Sequence, residues 1–391
     1  MNANIVSELN SVAESVGVKD RVFFHGGDTV RVINSVAPYG KVAVLYAKNT
    51  FLASGKEFTA QLKKSGIMPL NFILPEGVAL TPKNVFDVIG VPEDVRAIVY
   101  SDLILTDIAA YLATIFNIPV ICTLKTVETE NLIGVRLPFF WGDKTDFFDA
   151  HCTYHIVLDV DFKSGDIAKQ YISVLGKLTA LTDYRVKLKI RGGTAKKTAY
   201  GLIKSAVETV LTLNESPETA LVVAGLKIEL ANLLSGGEII CNSAEYAFKR
   251  LLRFNLNSGA AFSFFDREMR LYALCAENSE MPFITPDYNT RATELAAITG
   301  SDDGAFLKGL TEQVAYLKKA DIVRIKSAFN AELKSQESAL GMIERQFAAF
   351  GGKKCEDFSP YIAAFKLCGD LPDTFNFMTL IRESGFTEFI R

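Results

Sequence analysis

Three histidines, His25, His151 and His155, are all the imidazole this chain possesses, and none follows position 155 in 391 residues. Two of them stand beside Cys152 in HCTYH, where the soft metal ligands of the sequence cluster. A helical HCTYH would set His151 and His155 on one face at i, i+4, able to grip a transition metal. The run leads into the β-branched HIVLDVD, however, and an extended chain at roughly 3.3 Å per residue sets the rings about 13 Å apart, too far to share an ion. The extended reading is favoured. HGGDTVRV (His25 to Val32) reads as a strand-to-turn element in which a histidine beside two glycines is a turn residue rather than a catalyst. RGGTAKK (Arg191 to Lys197) joins a glycine pair to three cations before a helix, which would suit a phosphate-bearing ligand. An interhelical turn with a solvated basic rim is the preferred reading there. No GxSxG elbow occurs, and a nucleophilic triad would have to draw on imidazoles confined to the first part of the chain.

Composition narrows the classes. At 391 residues with 49% hydrophobic and 22% charged residues, the chain is expected to fold as more than one globular domain rather than stay disordered. A net charge of −3 argues against a nucleic-acid partner, which would call for a basic surface. The start, MNANIVSELNSVAESVGVKD, lacks a basic stretch followed by an apolar core and reads as an amphipathic helix. No apolar run approaches the roughly 18 residues of a membrane span. The six cysteines, Cys122, Cys152, Cys241, Cys275, Cys355 and Cys368, are scattered without a CxxC pair, as buried reduced thiols are. A cytoplasmic protein without membrane contact is expected.

These residues must be positioned by two kinds of element. From about 40 to 160, short β-branched runs alternate with helical stretches: KVAVLYA (Lys41 to Ala47), NFILP (Asn71 to Pro75), AIVYS (Ala97 to Ser101), IPVICT (Ile118 to Thr123) and YHIVLDVD (Tyr154 to Asp161) read as parallel strands. FLASGKEFTAQLKKSG is a helix with Gly66 as its stop, and Thr81 before Pro82 starts another. A doubly wound sheet follows. After Gly165 helical spacing takes over, near 166–188, 194–213, 217–235, 238–256, 258–277, 303–319, 322–350 and 374–384. The expected division is 1–164 as a Rossmann-like α/β domain and 165–391 as an all-α domain, the two forming a rigid pair with a cleft between them.

Several stretches carry a resemblance. GKVAVLYAKNTFLASGKEFTAQLKKSG, with its Lys48-Asn49-Thr50, together with LTALTDYRV (Leu178 to Val186) and FNFMTLIRESGF (Phe375 to Phe386), resembles the superfamily of dehydroquinate synthase and the iron-dependent alcohol and glycerol dehydrogenases. The glycerol-1-phosphate dehydrogenase-like branch is the most similar. The resemblance spans roughly residues 35 to 391.

That resemblance implies a divalent metal held by one acidic residue and two or three histidines of the helical domain, polarising a substrate oxygen for hydride transfer. Here the ligand positions fall on Ser173, Tyr246 and Ser258, and the absence of histidine beyond His155 denies the site its imidazoles. Glu245, Asp266 or Glu268 could hold a hard cation only weakly, so the family metal is expected to be absent. The resemblance also implies a glycine triplet for a dinucleotide pyrophosphate. The equivalent YSDLILTD puts Ser101, Asp102 and Leu103 there and keeps Asp107. Side chains would crowd the phosphates and Asp102 would repel them. LKTVETE (Leu124 to Glu130) retains little of the cleft-lining segment beyond Thr129 and Glu130. The family-equivalent cofactor positions are thus Lys48, Asn49, Thr50, Ser101, Asp107 and Thr129.

Two functional expectations follow. The first is a divergent, metal-free member that is non-catalytic or altered in activity, binding a small phosphorylated or polyol ligand in the cleft and assembling as a homo-oligomer. The alternative is an NAD(P)-dependent polyol or sugar-phosphate dehydrogenase, or a dehydroquinate synthase-like enzyme, with a modified site. A scaffold for another protein is a third.

Overall fold

A computed structural model describes residues 2–75, 80–88, 90–141, 144–158, 165–191, 193–194, 196–213, 217–237, 257–277, 293, 319–355 and 357. Helix α1 (Asn2–Ser15) leads into β1 (Val22–Gly26) and α2 (Thr29–Val36), then β2 (Lys41–Ala47). Helix α3 runs over Lys48–Thr50, widens into a π-helical turn at Phe51–Gly55, and resumes over Lys56–Lys64. There follow β3 (Met68–Leu74), α4 (Pro82–Val88), β4 (Val95–Tyr100), a 3-10 turn at Leu103–Leu105 leading into α5 (Thr106–Phe116), β5 (Val120–Leu124), the hairpin strands β6 (Arg136–Trp141) and β7 (Lys144–Asp149), and β8 (Tyr154–Leu158). Helices then follow: α6 (Ile167–Leu175), α7 (Lys177–Arg191), α8 (Lys197–Leu211), α9 (Pro217–Ser235), α10 (Ser258–Glu277), α11 (Lys319–Glu332), a short turn of helix at Lys334–Glu337, and α12 (Leu340–Ala349).

The chain divides into two compact units. The first comprises Met1–Gly165 with Asn214–Gly237, the second Asp166–Leu213 with Glu238–Arg391. Helix α9, within the span read as the all-α domain, therefore groups with the first unit. Three polar contacts explain why: buried Glu229 of α9 accepts the backbone N–H groups of Asn131 and Ile133, and Lys227 pairs with Glu8 of α1.

In the first unit a six-stranded parallel sheet runs in the order β1-β8-β5-β4-β2-β3, beside the separate antiparallel pair β6-β7. Alternate residues of the central strands, Val42, Val44, Val99, Ile121 and Val157, form one core with Val30 and Ile33 of α2 and Leu62 of α3. Their neighbours Leu45, Ile98, Cys122 and Ile156 are buried as well, so these strands are covered on both faces, and near-continuous apolar runs such as KVAVLYA are what such strands need. Every described element of the second unit is a helix.

Four elements were not legible as such. His25 lies in β1 rather than in a turn, α2 follows it, and β6 and β7 take up RLPFFW and KTDFFD. GGD before TVRVINSV holds a cap signal, since Asp28 accepts the Val30 N–H at 2.9 Å. The single helical stretches expected at 166–188 and 322–350 are broken, the first at Gly176 and the second around buried Leu333 and Ser338. The expected helices at 238–256, 303–319 and 374–384 lie outside the described residues, except for Lys319, which begins α11.

Candidate functional site

Parallel sheets open a crevice at the carboxyl ends of their strands where successive connections diverge to opposite sides. Here that point is β2, which pairs with β3 on one side and β4 on the other. A cavity of about 330 Å³ opens there, reaching the residues that follow β1, β4 and β5. Gly27 turns the chain into it at φ +94°, a conformation that favours glycine. Val44, Val99 and Phe58 supply apolar wall, and Thr29, Thr50, Ser54, Ser101 and Thr123 supply hydroxyls. Asp28 and Glu57 bring negative charge and Lys125 positive. The π-helical turn presses Phe51 so close to Gly55 that a Cβ there would meet the ring at 2.5 Å, and this packing aims Thr50, Ser54 and Glu57 inward from one helix.

Asp102, which follows β4 and which the resemblance expects at a glycine position, sits beside the cavity and holds one of its lining residues, Thr50. Its carboxylate accepts the Ala47 N–H at 3.0 Å and the Thr50 hydroxyl at 2.6 Å, so the start of α3 is capped by a side chain from the end of β4. Asp28 does the same for α2. Both helix starts at this crevice, where backbone N–H groups would welcome an anion, are filled by the chain's own carboxylates.

Of the family-equivalent positions, Thr50 and Ser101 line the cavity. Lys48 and Asn49 lie exposed in the first turn of α3, and Thr129 is buried after β5; none of the three lines the cavity. Asp107 sits in the first turn of α5, where burial raises its carboxyl to about 6. Asp28, Thr29, Glu57, Thr123 and Lys125 were missed. Only the cap position of Asp28 carried a local signal; the rest reach the cavity through strand order. The thiols of Cys122 and Cys152 are pushed up by burial, Cys122 to about 12, which leaves them unreactive in the core.

The residues expected at the metal positions are poorly suited to a transition metal. Ser173 on α6 and Ser258 at the start of α10 present neutral hydroxyls, poor partners for a transition metal; Tyr246 lies outside the described residues. Gly259, beside Ser258, has a packing reason to be glycine, since a Cβ would meet the Lys353 carbonyl at 2.3 Å. Among the described residues no group of three or more His, Cys, Asp or Glu could hold an ion. In RGGTAKK, Arg191 ends α7 and Lys197 begins α8, in keeping with the interhelical reading; Gly192 and Ala195 lie outside the described residues.

HCTYH takes the extended path into β8, and His151 lies before the strand. His155 instead meets His25 across the parallel pair β1-β8, Nε2 of His25 to Nδ1 of His155 at 3.0 Å. Burial lowers both, His155 to about 4 with His25 adding to the effect. A histidine that is harder to protonate folded than unfolded contributes stability above its unfolded value and loses it as pH falls. The loss from His155 therefore runs from about 6.5 down to about 4. Asp107, raised from 3.8 to about 6, acts in the opposite sense and gains as pH falls through that window. Urea titrations of His155→Gln across pH 7 to 4 are expected to show stability falling less than in the parent; an unchanged pH slope refutes the assignment.

Comparison with known proteins decides the fold. No family model and no curated relative matches the sequence. Solved structures do match: a glycerol dehydrogenase from Schizosaccharomyces pombe (13% identity, 87% of this chain and 94% of that one, TM-score 0.51) and an iron-containing alcohol dehydrogenase from Thermotoga maritima (10%, 95% and 97%, TM-score 0.53). An NADH-dependent butanol dehydrogenase from the same organism matches at 14% identity over 94% of this chain and 96% of that one, with TM-score 0.50. This chain has their fold. The expected architecture of a Rossmann-like α/β domain with a helical partner is thereby established, whereas at these identities the chemistry of the dehydrogenases is not. Among the described residues no helix is long and apolar enough to cross a membrane.

Proposed function

We propose that this chain uses the iron-containing alcohol dehydrogenase fold for binding rather than for hydride transfer, and that the cavity at the strand ends takes a small uncharged polyhydroxyl molecule. The observation that carries the reading is Asp102, whose carboxylate holds the Ala47 N–H and the Thr50 hydroxyl beside the cavity. A phosphate or pyrophosphate entering there would meet Asp28 and Glu57 in the lining, with Asp102 behind Thr50 and one lysine, Lys125, among the lining residues to offset them. Hydroxyl groups suit the site better: Thr29, Ser54, Ser101 and Thr123 both donate and accept. Serines at two metal positions support the same conclusion, as does the lack of imidazole after His155. This selects the polyol over the phosphorylated ligand. Self-association belongs to the reading as well, supported by exposed Met68 and Ile73 on the edge strand β3 and Phe86 on the neighbouring α4; light scattering measures it.

Thermal-shift titration with NADH and NADPH beside uncharged polyols such as erythritol and xylitol tests the ligand class. Stabilisation by the polyols and none by the dinucleotides is expected. A clear upward shift with either dinucleotide, or an equivalent of divalent metal that copurifies independently of His25 and His155, restores the NAD(P)-dependent dehydrogenase as the better account. Asp102→Ala removes a helix cap and a charge-assisted bond, and is expected to cost about 1–2 kcal/mol in urea unfolding. A loss well under half a kilocalorie would show that the cap carries little.

A further inference from the structure

We propose that His25 and His155 together form a binding site for a copper(II) ion, open to solvent and unconnected with the metal site of the dehydrogenases. The two rings come from adjacent strands 130 positions apart in sequence and meet nitrogen to nitrogen at 3.0 Å, with centroids 5.2 Å apart and planes inclined by 19°. That separation is what nearly coplanar imidazoles meeting edge to edge require.

Metal–imidazole bonds of about 2.0 Å put two nitrogens roughly 2.8 Å apart at adjacent corners of a square and roughly 3.3 Å apart on a tetrahedron. The observed 3.0 Å lies between them. The pair is spaced for an ion before one arrives; both rings need only swing until their lone pairs converge. They are half-buried on the edge side of the sheet, and His155 is backed by Phe23, stacked at 4.9 Å. Solvent can thus fill the remaining coordination positions, and copper stands highest among divalent first-row ions for nitrogen donors. Zinc would bind more weakly.

The protons balance without release at neutral pH. One ring now donates its N–H to the other; on binding, that ring moves its proton to its far nitrogen, and both remain neutral ligands. Neutral imidazole is the ligating form, and burial keeps both rings neutral below the usual histidine range.

Titrating the metal-stripped full-length protein with copper(II) chloride, followed by calorimetry and electron paramagnetic resonance, tests the site. One equivalent is expected to bind with coupling to two nitrogens in the unsubstituted protein, so the result does not depend on a variant folding. His25→Gln and His155→Gln are each expected to weaken binding about tenfold or more, while His151→Gln leaves it unchanged. Binding without two-nitrogen coupling, or undiminished in both variants, overturns the proposal. Dinucleotide binding is scored separately, so failure here leaves the polyol-binding reading untouched, and the reverse.

Discussion

Glu332→Ala is expected to destabilise the helical unit by about 2 kcal/mol. The Glu332 side chain is fully buried at the end of α11, where it meets Arg185 of α7 at 2.5 Å and Lys204 of α8 at 3.6 Å. Both cations also lie against the Tyr200 ring, each 5.3 Å from its centroid. Removing the carboxylate leaves two positive charges beside one ring without their shared counter-ion, but Arg185 and Lys204 are 33% and 41% exposed, so water offsets part of the penalty of breaking a buried pair. Glu332→Gln keeps the shape and a hydrogen-bond acceptor, so its cost should be roughly half as large. Urea unfolding followed by helical signal measures both, and because the carboxylate is buried, moderate salt should change the difference little. Should Arg185→Ala in the same background fail to recover part of the loss, repulsion between the stranded cations is not the cause.

Glu229→Ala is expected to cost the first unit about 1–3 kcal/mol, since it strands the buried Ile133 N–H and leaves the part-buried Asn131 N–H to water. The Glu229 carboxylate takes the Asn131 N–H at 3.2 Å and the Ile133 N–H at 3.0 Å. Between those residues the Leu132 carbonyl accepts the Tyr100 hydroxyl at 3.2 Å, and Tyr100 ends the strand that lines the cavity. One glutamate on a helix nearly a hundred positions later thus holds the segment that backs β4. Glu229→Gln should be milder, because the amide oxygen can satisfy only one donor well while its NH₂ group faces the other. Amide exchange at Asn131 and Ile133 is the direct readout: faster exchange there is expected even where overall unfolding shifts little, and unchanged protection would contradict the role assigned to Glu229.

Much of the fold was legible because it is written in local pattern. KVAVLYA is strand β2 residue for residue, since a strand buried on both faces needs an unbroken apolar run. Thr81 caps α4 as expected, accepting the Asn84 N–H. β1 and α2 escaped because HGGDTVRV is dense in turn residues, and the aromatic hairpin β6-β7 escaped because its pairing lies outside the alternation of parallel strand and helix. Helix α9 carried no local mark of the unit it joins; that was decided by Glu229 and Lys227 meeting partners far away in sequence.

The site divides along the same line. Residue types alone ruled out a histidine-held metal in the helical half, because no fold can place imidazole where the chain has none. Charge alone is also the basis for expecting Asp102 to repel phosphate. What Asp102 does instead, capping α3 through Ala47 and Thr50, depends on β2 and β4 lying side by side, and strand order is a long-range property. The histidines make the contrast plain. Local pattern was enough to expect His151 and His155 apart on an extended run; His25 and His155 meet because β1 and β8, far apart along the chain, are neighbours in the sheet.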